Sequence, residues 1–150
     1  ASRAKRLPGV SPSAQTLGPR RMPPLHPFGE FIGLHVEHQA AGQSTLSLVA
    51  AERHLNPHGV VHGAVLYALA DTGMGAALYP TLAPGEICAT IEIKINYFKP
   101  VAAGTLVCKT ELLNRGRSIA NLESRLYAGD TLVAQANGNY AVIRKAGAGA

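Results

Sequence analysis

The stretch VHGAVLYALADTGMGAAL, residues 61–78, breaks the pattern of the chain around it. It lacks polar–apolar alternation, is rich in Ala and Leu, and is stopped by Pro80. Val61, Val65, Leu69, Gly73 and Ala76 step at helical spacing, with Leu66, Ala70 and Ala77 beside them. Apolar or small residues therefore lie all round, which predicts a buried helix and not an amphipathic surface one. Gly63, Gly73 and Gly75 each lower helix propensity by roughly 1 kcal/mol. Tertiary packing must then hold the helix, with other backbone approaching it closely.

On either side the pattern is mostly alternation. Thr45 to Ala51 reads as one short strand ahead of the helix. After it, Cys88 to Phe98 sets Ile91, Ile93, Ile95 and Tyr97 on one face and Glu92, Lys94 and Asn96 on the other. Thr105–Leu113, Ile119–Ala128 and Thr131–Arg144 are three more strands, separated by Gly104, by Asn114-Arg115-Gly116 and by Gly129-Asp130. Four strands with short connections predict an antiparallel meander. An apolar helix with one strand before it and four after has few solutions: a curved antiparallel sheet must wrap it, an α+β architecture.

The 150 residues suit one domain with a sizeable core, and the apolar share of 47% fills it with aliphatics, since Trp is absent. No apolar run reaches the roughly 18 residues of a membrane span, so a soluble, cytoplasmic protein is expected. Cys88 and Cys108 lack the spacing of a redox or metal pair and read as free thiols. The net charge of +5 sits entirely in residues 1–29, where Arg3, Lys5, Arg6, Arg20 and Arg21 meet no acid. In the rest of the chain nine basic and nine acidic side chains balance, which speaks against a nucleic-acid-binding face on the fold. Residues 1–29 also hold six of the ten prolines and read as a disordered basic leader, with organellar targeting as the alternative. The folded domain is expected over 30–145, with a flexible tail at 146–150.

Between Arg53 and Glu86 the only formal charge is Asp71, inside the predicted helix. A carboxylate there costs several kcal/mol unless it is paired or hydrogen-bonded, and such groups cluster at functional sites. Ahead of the helix stands His54-Leu-Asn56-Pro-His58-Gly59-Val-Val-His62-Gly63. A helix N-terminus offers unpaired N–H groups and partial positive charge suited to a developing oxyanion, and Gly63 lets a carbonyl come close. His58 and His62 are four apart, but Gly59 interrupts the helix that spacing needs, and no third ligand clusters with them, so no metal is expected. A Ser-His-Asp triad lacks its G-x-S-x-G elbow.

The motif H-G-x-x-x-x-x-x-x-D at 62–71, preceded by Asn56, resembles the hotdog thioesterases of the phenylacetate-pathway (PaaI-like) family. N-Y-F-K-P-V at 96–101, Gly104 and G-R-S at 116–118 extend the resemblance over residues 45–143. Ala64 departs from the second Gly that family often has. The resemblance implies a hotdog fold and an acyl-CoA thioesterase in which Asp71 is general base or nucleophile. Gly63 N–H would polarise the thioester carbonyl, Asn56 would position substrate or water, and Thr90 would orient the water. By strand alternation, however, Thr90 shares the Glu92–Lys94 face and points away from the helix. His62 either positions the thioester or caps the helix. Arg117 and Lys99 are candidate contacts for the phosphates of CoA, which is part of the substrate, so no separate cofactor is expected.

Gly63 and Asp71 lie eight residues apart on one helix, about 12 Å at 1.5 Å per residue. Groups so far apart cannot act on one thioester from the same chain, so a homodimer sharing its sites across a two-fold axis is expected. A homotetramer built as a dimer of dimers is the expected full assembly. Two other activities fit a hotdog chain: a non-catalytic acyl-CoA-binding module, and a hydratase or dehydratase pairing His with a carboxylate.

Overall fold

Residues 63–78 do form the long helix, α2 (Gly63–Leu78), with the chain turning at Tyr79–Thr81 where Pro80 stands. The structure, a computed structural model, describes residues 26–147. Most of the leader assigned to 1–29 and the end of the tail at 148–150 lie outside the described residues. Residues 27–29 belong to a short helix, α1 (Pro27–Ile32), which buries Gly29 and Ile32. The folded part thus begins earlier than composition suggested, because Pro27 stands at a helix start where its missing N–H costs nothing.

Six strands follow the order β1 (Leu34–Ala40), β2 (Gln43–Val49), then β3 (Glu86–Tyr97), β4 (Thr105–Arg115), β5 (Ile119–Ala128) and β6 (Thr131–Arg144) after α2. Among the described residues two strands, not one, precede the helix. β1 escapes a sequence reading because its residues, LHVEHQA, lie at a sheet edge and only Leu34 is buried. The sheet is antiparallel with spatial order β1-β2-β4-β5-β6-β3. β4, β5 and β6 form the expected meander, but β3 does not join it. It crosses to the far edge and pairs with β6, while β2 takes the place beside β4. With both β1 and β3 at the rims, the sheet curls round α2, the hotdog arrangement.

The inner faces of the strands bury Leu46, Leu48, Leu106, Leu122 and Leu126 against Leu69, Met74 and Leu78 of α2. Each such side chain contributes roughly 1.5–3 kcal/mol when fully buried. The helix is not covered all round, as its composition suggested. Ala64 and Tyr67 are exposed and Asp71 and Gly75 half-buried, a stripe at positions i, i+3, i+7 and i+11, with Val65 and Thr72 half-buried beside it. Its C-terminal carbonyls find side-chain and loop donors: Gln39 Nε2 to Ala76 O at 2.8 Å, Gly42 N–H to Ala77 O at 2.9 Å and Thr81 Oγ1 to Leu78 O at 2.7 Å. No helix among the described residues is long and apolar enough to cross a membrane.

Two glycines of α2 have opposite surroundings. A Cβ on Gly73 would stand 2.7 Å from Thr110 Oγ1, in the buried core, whereas a Cβ on Gly75 would meet nothing within 4 Å. Gly73→Val should therefore cost about 2–3 kcal/mol through overpacking, and Gly75→Ala should gain up to about 1 kcal/mol from helix propensity. Urea unfolding of both variants checks the opposite signs.

Candidate active site

Asp71 projects from the uncovered stripe of α2 toward the β3–β6 rim. Thr90 Oγ1 of β3 donates to Asp71 Oδ1 at 2.8 Å, and the Tyr140 hydroxyl of β6 donates to the same oxygen. The Tyr140 oxygen also lies 2.9 Å from the Asp71 backbone carbonyl. Side chains from two further strands reach the same turn of helix. Ser44 Oγ of β2 donates to Gly73 O at 2.7 Å, and Ser124 Oγ of β5 lies 3.5 Å from Ala70 O while sharing a hydrogen bond of 2.6 Å with Thr110. Hydroxyls from four strands thus fix the turn that carries the carboxylate.

The contact with Thr90 corrects the orientation expected from alternation. The β3–β6 register shifts between Thr90 and Glu92, with Thr90 opposite Tyr140 and Glu92 opposite Asn139. The extra residue, Ile91, bulges out and is 51% exposed. A bulge inverts the parity of the strand, so Cys88 and Thr90 join Ile93 and Ile95 on the helix side. Because Thr90 gives its only hydrogen to Asp71, it can meet a water only as an acceptor.

The other expected site residues gather at the N-terminus of α2. Asn56 opens a tight turn: its Oδ1 accepts from His58 N–H at 2.9 Å and Val60 N–H at 3.4 Å, and Gly59 closes it with φ of 76°. The amide NH2 of Asn56 is left to donate elsewhere. His62 is the N-cap, its Nδ1 accepting from Ala64 N–H at 2.9 Å. No acceptor for the Gly63 N–H is found among the described residues. Asn56, Gly63 and Lys99 line one cleft of about 370 Å³ together with Leu66 and Tyr97. Tyr97 donates to Gly63 O at 2.8 Å, and its ring occupies the space a Cβ on Gly63 would need, at 3.0 Å. His62 borders a second, mostly apolar cleft of about 270 Å³, with Phe28, Ile32, Leu55, Val65 and Ala68.

Within one chain the expected residues therefore form two groups: Asp71 with Thr90, and Asn56, His62 and Gly63 with Lys99. Arg117 is exposed in the β4–β5 turn. It belongs to the Asp71 end, since Ile119 and Ala120 pair with Ala141 and Tyr140. His54 has a structural place: Ala51 N–H donates to its Nδ1 at 2.9 Å, which puts the ring hydrogen on Nε2, 2.7 Å from Ile32 O. His58 is exposed. A further cavity of about 380 Å³, lined by His38, Lys109, Glu111, Arg125 and Tyr127 among others, belongs to β1, β2, β4 and β5 and lacks the α2 residues of either group.

Tyr140 is the site residue that sequence reading missed. A signal existed: the inward positions of β6 run Ala134, Ala136, Gly138, Tyr140, and a buried phenol among small residues must find a partner for its hydroxyl. Burial pushes the Tyr140 phenol far above its ordinary range, and accepting neighbours at Asp71 add to the effect. Burial likewise raises the Cys88 thiol, with a further contribution from the Asp71 charge, so Cys88 is held as a thiol and not a thiolate nucleophile. Cys108, inside the core, is pushed up to about 11 by burial.

Residues 58–135 match the family described as the thioesterase superfamily. A provisionally named esterase of Pseudomonas aeruginosa is 30% identical over 79% of this chain and 87% of its own length. The 1,4-dihydroxy-2-naphthoyl-CoA hydrolase of Listeria monocytogenes is 27% identical over 59% of this chain and 72% of its own. Among solved structures, a variant of the phenylacetic acid degradation protein PaaI from Thermus thermophilus superposes with a TM-score of 0.73. It is 29% identical, and the match covers 77% of this chain and 98% of that one.

The cap at His62 gives a stability test. His62→Ala removes the acceptor for Ala64 N–H and should cost about 1 kcal/mol. His62→Asn, which keeps a capping acceptor, should recover most of it in the same urea titration.

Proposed function

The chain belongs to the thioesterase superfamily, and on that footing we propose that it hydrolyses an acyl-CoA thioester to free acid and CoA, with Asp71 as the catalytic carboxylate. The observation that carries this reading is Asp71 itself. It is a half-buried carboxylate on the uncovered stripe of α2, held on one oxygen by two hydroxyls, while Oδ2 has no partner among the described residues. That oxygen either takes a proton from water as the water oxygen bonds the thioester carbon, or bonds the carbon itself to give an anhydride that water then opens. In both routes the C–S bond breaks and the CoA sulfur leaves, protonated, as the thiol. Charge building on the carbonyl oxygen needs donors in place beforehand. The Gly63 N–H and the Asn56 amide NH2 are two such donors on one cleft.

Gly63 stands about 12 Å along the helix from Asp71, and Asn56 precedes the helix on the Gly63 side, so a two-fold pair of chains supplies the complete site. Two features support such a pair. The stripe Ala64, Tyr67, Asp71, Gly75 is small or apolar apart from the carboxylate. β3 also lies at the sheet edge, where its outward backbone groups have no strand partner among the described residues. Exposed Ile91, Tyr97 and Phe98 flank that edge. In the pair, Lys99 beside Gly63 of one copy and Arg117 near Asp71 of the other fall on the same site, two cations for CoA phosphates. A homotetramer then assembles as a dimer of such dimers.

The apolar cleft beside His62 offers the acyl group a place next to the donors. Both named relatives, one acting on an aryl-CoA and one from phenylacetic acid degradation, support an aryl or similar acyl group. Against a hydratase stands the commitment of His62 Nδ1 to the helix cap, where it accepts from Ala64 N–H.

Release of thiol from phenylacetyl-, short-chain and long-chain acyl-CoA, followed with a thiol reagent, tests this directly. Asp71→Asn should lower kcat about 10³-fold; unchanged activity overturns the catalytic role. Asn56→Ala should also be nearly inactive, and reassembling it one-to-one with Asp71→Asn should restore about a quarter of wild-type activity, since half the dimers then carry one intact site. No recovery overturns the shared site.

A further inference from the structure

Asp71 Oδ1 accepts from two donors on two strands. Thr90 Oγ1 stands at 2.8 Å, and the Tyr140 hydroxyl is closer still. A carboxylate oxygen has two lone pairs, so these donors saturate Oδ1. Tyr140 is 3% exposed, its ring wedged in the core, and its oxygen touches both the side chain and the backbone carbonyl of Asp71. With one hydrogen to give, it donates chiefly to the nearer carboxylate oxygen, and the backbone carbonyl at 2.9 Å is a second, weaker acceptor of the same hydrogen. We infer that Tyr140 is a positioning residue of the hydrolase: with Thr90 it pins Oδ1, so that Oδ2 is the single reacting oxygen and is turned toward the neighbouring subunit's donors. The inference rests on the proposed role of Asp71.

The groups packed against Asp71 suit this division. From β6 comes Tyr140, from β3 come Thr90 and Cys88, and from β5 Ser124 reaches only the backbone at Ala70. Arg115 acts on Cys88. Among the described residues no Lys or Arg forms an ion pair with Asp71, so neutral donors alone set its geometry. A neutral donor orients a carboxylate without cancelling its charge.

The test is Tyr140→Phe, which keeps the ring and removes the hydroxyl, beside 3-fluorotyrosine placed at position 140 by codon reassignment. Steady-state kinetics on the best acyl-CoA, with Asp71→Asn as reference, give the readout. Tyr140→Phe should lower kcat about ten- to hundredfold, the size of one lost hydrogen bond to a charged group, and leave KM within about twofold, because Tyr140 touches Asp71 and not the substrate. Fluorotyrosine, which retains a donor, should keep kcat within about threefold of wild type by the same reckoning. A Tyr140→Phe enzyme with wild-type kcat, or with a raised KM alone, overturns the inference. If Tyr140→Phe does not fold, the fluorotyrosine enzyme decides: a retained kcat supports the inference, and a collapse in kcat with intact folding overturns it. Should Asp71→Asn keep full activity, the role of Asp71 fails instead, and that result is distinct from a silent Tyr140→Phe beside a dead Asp71→Asn.

Discussion

Helix α2 lies so close to the sheet at Gly73 that a Cβ there would stand 2.7 Å from Thr110 Oγ1 and 3.4 Å from Cys108 Sγ. At the same level Gly138 of β6 leaves room for Met74, whose sulfur would be 2.6 Å from a Cβ on that glycine. Two missing side chains, one on the helix and one on the sheet, thus set the separation between the layers. Short hydroxyl side chains can bridge a gap that narrow. Ser44 and Ser124 reach helix carbonyls, and Thr90 and Tyr140 reach Asp71. A wider gap would have left the buried Ser44 and Tyr140 hydroxyls without partners, at a cost of about 1–3 kcal/mol each.

The same closeness explains how a carboxylate survives on an apolar helix. Among the described residues no cation pairs with Asp71; it is held by two hydroxyls and by its place on an open stripe of the helix. That stripe is also where a reaction partner can arrive. The helix N-terminus is arranged differently. His62 satisfies Ala64 N–H, the Asn56 turn holds the approach to the helix, and Gly63 N–H remains outward. The helix is therefore divided: its buried side holds the fold, and its open side carries the carboxylate proposed to react.

Much of this was legible in the residues. The apolar helix, the lone charge within it, the glycines at its approach and the β4–β6 meander follow from periodicity and turn chemistry, both local in the chain. The place of β3 was not legible, because which edge a strand joins is decided by what else competes for β4, and β2 won that position. β1 was missed because an edge strand buries too little to alternate clearly. The facing of Thr90 was misread because a single bulged residue, Ile91, reverses strand parity, and bulges leave no mark on the pattern of residue types.

By itself the sequence determined which residues had to be chemically unusual: a carboxylate in an apolar helix is costly wherever the helix goes, and a glycine at a helix start opens the backbone in any fold. Only the tertiary structure decided who keeps company with whom. Tyr140 stands sixty-nine positions from Asp71 in the chain, and their contact exists because β6 and α2 meet at a spacing set by Gly73 and Gly138. Burial costs are carried by single residues and can be read from a sequence; partnerships depend on distances between elements, and those are fixed only when the layers close.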